Sequence, residues 1–145
     1  MDLVHTDIKP ENVLFLKDPC QQHADYFIKL IDFGNISYVS EGNRNTITTR
    51  QYRAPEVILG CCEWGKPCDV WSVACVAMEI YLGQLLFNTH DSFEHLGLIE
   101  KMIGNFPIWM VNRTRPEMKK LFYYKEVTFN KKFDKFFFLG QDWSF

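Results

Sequence analysis

The stretch CDVWSVACVAMEIYLG, residues 68–83, constrains the fold more than any other part of the chain. Pro67 precedes it, Gly83 ends it, and apolar side chains occupy nearly every position between. A helix that is apolar all round has no side to turn to water, so the pattern predicts a helix in the middle of a domain. It does not predict a membrane span. The apolar run from Val70 to Leu82 carries Glu79 and falls short of the ~20 residues that a bilayer requires. Surrounding such a helix takes apolar material, and 47% of the 145 residues are hydrophobic, 13 of them Phe. That is enough for one domain with a core, and it argues against disorder.

Other segments place elements around this helix. Asn12 to Leu16 (NVLFL) and Phe27 to Ile31 (FIKLI) are short apolar runs separated by the polar stretch from Lys17 to Asp25, which predicts two strands joined by a turn. Residues 33–52 are polar and aperiodic and read as a long loop, a length that usually carries function or disorder. APEVILG, 54–60, reads as a short helix stopped by Gly60. In THDSFEHLGLIEKMIG, 89–104, Asp91 and Glu94 form a capping box, and Leu96, Ile99 and Ile103 form an apolar stripe with Leu98 and Met102 beside it. NRTRPEMKK, 112–120, reads as a basic, solvated loop, and the tail from 116 ends in the aromatic stretch 133–145. Strands followed by helices predict an α+β fold in which helices dominate.

Net charge is −2 with a pI near 6.1, so nothing points to nucleic acid or an anionic membrane. The start has no basic segment followed by an apolar run, so no signal peptide is visible and an intracellular location is expected. The five cysteines, Cys20, Cys61, Cys62, Cys68 and Cys75, include no CxxC pair and read as small apolar groups rather than as disulfides or zinc ligands.

The chemistry lies in three short motifs in a fixed order. His5-x-Asp7-x-Lys9-x-x-Asn12 comes first, then Asp32-Phe33-Gly34, then Ala54-Pro55-Glu56. Each triplet is weak by itself; the order and separations of all three are specific. They are the landmarks of a protein kinase catalytic loop (4–12), metal-binding turn (32–34) and activation segment (32–56). Phosphoryl transfer needs an acceptor hydroxyl aimed at the γ-phosphate, and Asp7 can accept its proton. Magnesium is a hard cation, and Asn12 and Asp32 offer it oxygens. Lys9 places positive charge where negative charge moves. The two strands would bring Asn12 and Asp32 together across 20 positions.

On these residues the chain resembles the eukaryotic protein kinases. Arg53 in QYRAPE is similar to the CMGC group. HTDIKPEN, with Thr6 in place of the usual Arg, and the frame EHLGLIEKMIG, 94–104, are similar to the LAMMER (CDC-like) kinases, although the six letters that name the family read LGLIEK here. The resemblance implies a serine/threonine or dual-specificity kinase that uses ATP and Mg2+, held by Lys9, Asn12 and Asp32. It implies protein substrates rich in Arg and Ser, with Glu11 meeting a substrate Arg, and a nuclear location. It further implies that Asp69 holds the catalytic-loop backbone, that Thr49 hydrogen-bonds Asp7 and Lys9, and that His5, Arg53 and Glu56 are structural. With Thr6 in place of Arg, an activation-loop phosphate loses its usual grip; Thr46, Thr48, Thr49 and Tyr52 are candidate phosphosites or structural groups.

No GxGxxG and no VAIK-like lysine occur in the chain. The expectation is therefore an incomplete kinase C-lobe over 1–145, without the nucleotide lobe, that does not act alone. A docking module without catalysis, or the product of a partial or decaying kinase gene, are the competing expectations.

Overall fold

Two small antiparallel ladders frame the amino-terminal part of the chain. In the computed structural model, which describes residues 2–18, 27–39 and 47–123, strands β1 (Leu3–Val4), β2 (Val13–Phe15), β3 (Ile28–Leu30) and β4 (Ser37–Tyr38) form two pairs. Cys20, Thr46, the side chain of Lys120 and the stretch 133–145 lie outside the described residues. β2 pairs with β3, with Val13 opposite Leu30 and Phe15 opposite Ile28. These are the two apolar runs read as strands, and their β-branched and aromatic residues suit a pleated surface. β1 pairs with β4, Val4 opposite Ser37. That second ladder lies inside the stretch read as a long loop. Two residues per strand are too few to leave an alternating pattern in sequence.

Five helices follow among the described residues: α1 (Pro55–Leu59), α2 (Lys66–Leu82), α3 (Ser92–Ile103), α4 (Ile108–Arg113) and α5 (Pro116–Tyr123). Pro55 stands in the first turn of α1, and Gly60 caps it in the left-handed region at φ 58°. Gly60 is also required sterically, because a Cβ there would lie 2.3 Å from the Arg115 side chain. Arg115 crosses the end of α1. Its main-chain N–H donates to the Leu59 carbonyl at 3.1 Å and its guanidinium to the Ile58 carbonyl at 2.9 Å. Carbonyls at a helix C-terminus have no partner within the helix, so Arg115 satisfies them from outside. The basic loop expected over 112–120 is therefore corrected: α4 and α5 occupy most of it, and Arg115 is a strut.

α3 opens as the capping box requires, with Glu94 N–H donating to the Asp91 carboxylate at 2.7 Å. The Glu94 carboxylate accepts in return from His90 N–H and the Thr89 hydroxyl. Leu96, Leu98 and Ile99 are buried on this helix, but Ile103 and Met102 are exposed, so the apolar stripe is shorter than its spacing implied.

α2 departs most from expectation. Cys68, Ser72, Cys75 and Val76 are buried, and Ser72 Oγ donates to the Tyr52 carbonyl at 2.8 Å. On the remaining surface of the helix, Val70 and Val73 are exposed, and Ile80 and Tyr81 are 74% and 72% exposed. The helix is not enclosed among the described residues. The turn Arg50–Tyr52, β1 and Phe87 pack on other parts of the helix and leave Val70, Val73, Ile80 and Tyr81 uncovered.

The main core joins Tyr52, Leu59, Cys75, Phe87, Leu96 and Ile99. Inside it His95 is fully buried against Phe87, ring centroids 5.0 Å apart, and neither ring nitrogen has a hydrogen-bond partner among the described residues. Burial, with the nearby Arg53 and Arg50 charges, pushes the His95 imidazolium down to about 4. His95 is therefore neutral when folded and titrates at its ordinary value of about 6.5 when unfolded. Below pH 6.5 the unfolded chain takes up a proton that the folded chain refuses, so stability falls by about 3 kcal/mol between pH 6.5 and 4. In urea titrations from pH 7 to 4.5, His95→Leu should flatten that loss. It should also hold or raise stability at pH 7, because an unpartnered buried polar group is removed.

Candidate active site

β1 delivers the chain into a short buried loop. Val4 is completely buried, and His5, Thr6 and Asp7 follow it at 9% exposure or less. Thr6 adopts φ 66°, a left-handed conformation that costs a β-branched residue roughly 1–3 kcal/mol. Asp69, in the first turn of α2, holds this bend. Its two carboxylate oxygens accept from His5 N–H at 2.7 Å and from Thr6 N–H at 3.0 Å. The Thr6 hydroxyl donates to the Asn35 carbonyl at 2.8 Å. His5 Nδ1 accepts from the Asp7 amide at 3.3 Å, leaving Nε2–H to donate to the Ile31 carbonyl at 3.0 Å. Its ring meets Phe33 edge to face.

Asp7 is the centre of the polar network. Oδ1 accepts from the Thr49 hydroxyl at 2.7 Å and the Thr49 amide at 3.1 Å; Oδ2 accepts from Lys9 at 2.9 Å. Lys9 also donates to the Thr49 hydroxyl at 3.2 Å. Burial pushes the Asp7 carboxyl up, but the Lys9 ammonium and both Thr49 donors outweigh it, and the group lies below its ordinary value. The bond to Asp7 raises Lys9 in turn, against the opposing effect of burial. At neutral pH both are charged. A carboxylate below its ordinary value is a weak base, suited to orienting a hydroxyl and taking its proton late.

Asn12 ends the tight turn Pro10–Asn12, and its amide donates to the Asp7 carbonyl at 2.8 Å, which leaves its side-chain oxygen for another partner. The Asn12 carbonyl accepts from Ile31 N–H at 2.9 Å, continuing the β2–β3 register by one pair. That ladder brings Asp32, at φ 64°, alongside Asn12. Asp32 is exposed, and its charge contributes to raising Lys9. A carboxylate and an amide oxygen are hard donors of the kind that suits magnesium. Glu11 is exposed on the same turn.

The far end of the segment is held by groups of another kind. Arg53 donates to the Ile47 carbonyl at 3.0 Å and the Thr48 carbonyl at 2.8 Å, fixing Thr48 at φ 68°. Tyr52 is buried and donates to the Glu79 carboxylate at 2.5 Å. Burial first, then Glu79, raises the Tyr52 phenol. Of the two readings of Tyr52, phosphosite or structural group, its geometry fits the structural one, since the hydroxyl is committed to Glu79. Glu79 had a legible signal as the lone acid in the apolar run from Val70 to Leu82. Glu56 stands in the first turn of α1, where burial raises its carboxyl, and it forms no ion pair among the described residues.

A profile described as protein kinase domain matches residues 1–135. The chain belongs to the protein kinase family. Among curated proteins, this kinase chain is 40% identical to the dual specificity protein kinase CLK4 of Mus musculus, over 89% of the chain and 29% of that protein. It is 44% identical to the mouse dual specificity protein kinase CLK1, over 78% of the chain and 26% of that protein. The serine/threonine-protein kinase Doa of Drosophila melanogaster is 39% identical over 90% of the chain and 17% of its own length. Its likeness is thus to the CMGC group and the LAMMER kinases. The chain spans under a third of the length of these relatives. No helix among the described residues is long and apolar enough to cross a membrane.

Proposed function

We propose that this kinase chain carries the acceptor-binding half of a serine/threonine, or dual-specificity, protein kinase site. The observation that supports this most is the network around Asp7, in which one charged oxygen is oriented by Thr49 and the other by Lys9. Asp7 orients the protein hydroxyl and takes its proton as the new bond to phosphorus forms. Lys9 stays with the transferred phosphoryl oxygens and balances their charge. Asn12 and Asp32 would hold magnesium, which when bound would supply positive charge to offset that of the ATP phosphates. His5, Asp69, Thr49 and Arg53 keep the loop and segment in register, and Glu56 anchors the segment's end at α1. Substrates rich in Arg and Ser fit the exposed Glu11 beside the loop, and a nuclear location belongs to the same reading.

The test supplies the nucleotide-binding parts that have no counterpart in these 145 residues. Residues 2–123 replace the matching stretch of mouse CLK4, and phosphate transfer to an Arg/Ser-rich peptide is measured. The graft should retain transfer within about tenfold of the parent, a loss of at most ~1.4 kcal/mol of transition-state stabilisation. A folded graft that binds ATP and transfers nothing would favour a docking module instead.

A further inference from the structure

Asp32 stands in the left-handed region at φ 64°, a conformation that persists only where the surrounding structure holds it. On the amino-terminal side Ile31 is tied twice. Its N–H donates to the Asn12 carbonyl at 2.9 Å, and its carbonyl accepts from His5 Nε2–H at 3.0 Å. On the other side the chain makes the tight turn Phe33–Asn35 and enters β4. The tie there comes from the catalytic loop. The Thr6 hydroxyl donates to the Asn35 carbonyl at 2.8 Å. Ser37 Oγ reaches the same carbonyl only at 3.5 Å, beyond the usual range for two oxygens. Thr6 is 2% exposed, so its hydroxyl has no bulk water to turn to.

The Thr6 backbone is fixed separately, because Asp69 at the start of α2 accepts from the His5 and Thr6 amides at 2.7 and 3.0 Å. The short, β-branched Thr6 side chain therefore forms a stiff link that runs from α2 through the catalytic loop to the turn after Asp32. We infer that Thr6 is a positioning residue, whose hydroxyl latches the catalytic loop to the metal-binding turn and keeps Asp32 in the conformation from which it would meet a metal ion. Asp69 acts on the Thr6 backbone and the latch acts through the side chain, so the two contributions can be separated. The positioning role rests on the proposed use of Asp32 as a metal ligand; the latch itself rests on the buried hydrogen bond alone.

Thr6→Val keeps the shape and the β-branch and removes only the hydroxyl. In the 145-residue chain, hydrogen exchange read by mass spectrometry should quicken at least about fivefold across residues 33–38 and stay unchanged in α3, as expected when a buried carbonyl loses its donor. Thr6→Ser retains the donor and should keep the wild-type rate there. Wild-type exchange across 33–38 in Thr6→Val, or equal quickening in α3, would overturn the latch. Should Thr6→Val fail to fold, Thr6→Ser decides: the wild-type rate across 33–38 supports the latch, and quickening there overturns it. Titration of the same chains with Mn2+, a paramagnetic cation that takes the same oxygen ligands, is read by electron paramagnetic resonance. Thr6→Val should weaken Mn2+ binding about threefold or more, and Asp32→Ala should abolish it. Wild-type Mn2+ affinity in Asp32→Ala would overturn the metal-ligand reading and leave exchange to decide the latch. Binding lost in Asp32→Ala but unchanged in Thr6→Val would overturn the positioning role alone.

Discussion

Asp7→Asn in the CLK4 graft should lower phosphate transfer by about 10²–10⁴-fold while leaving the graft folded and able to bind ATP. Asparagine matches the carboxylate in shape, so the loop backbone has little reason to move. What changes is hydrogen-bond polarity. Both oxygens of Asp7 accept, one from Thr49 and one from Lys9. The amide nitrogen of asparagine would face one of these donors with another donor. It also removes the charge that takes the acceptor's proton. If the carboxylate only braced the loop, the variant would lose stability and keep its turnover, and the proposed role would be wrong. A loss in kcat with KM for ATP unchanged is the expected pattern, because Asp7 belongs to the acceptor side of the site.

Asp69→Ala should destabilise the 145-residue chain by about 3–5 kcal/mol. The carboxylate accepts from two consecutive buried amides, His5 and Thr6. Removal strands both donors inside the protein and leaves the left-handed Thr6 without the contacts that hold it there. Typical domains are stable by about 5–15 kcal/mol, so a loss of this size lowers the folded population measurably. Asp69→Asn keeps one acceptor oxygen and should cost about half as much. Urea unfolding at pH 7 measures both. A midpoint for Asp69→Ala equal to wild type would show that the bend at Thr6 is held by other contacts, with the Thr6 hydroxyl on Asn35 the first to consider.

Much of the local structure was legible. Pro55 and Gly60 bracket α1, Asp91 and Glu94 start α3, and two apolar runs pair as β2 and β3. Each of these is decided by residues within a few positions of one another, through fixed φ values, caps or a pleat. The order of His5-x-Asp7-x-Lys9-x-x-Asn12, Asp32-Phe33-Gly34 and Ala54-Pro55-Glu56 marks the family in the sequence alone. The β1–β4 pair escaped notice because two-residue strands leave no period. Arg115 was read as surface because its partners, the carbonyls of Ile58 and Leu59, lie 57 and 56 positions earlier in the chain.

The sequence by itself determined the family, the turn and cap positions, and the residue types gathered for chemistry, because these depend on neighbouring side chains and motif order. Only the tertiary structure decided which backbone amides Asp69 holds, 64 and 63 positions away, that Tyr52 is spent on Glu79, and that Thr6 walls a cavity beside Asp7. It also decided which faces of α2 are covered. A pattern of apolar residues states how much surface a helix would bury; only the placement of other elements around it decides which part of that surface is buried.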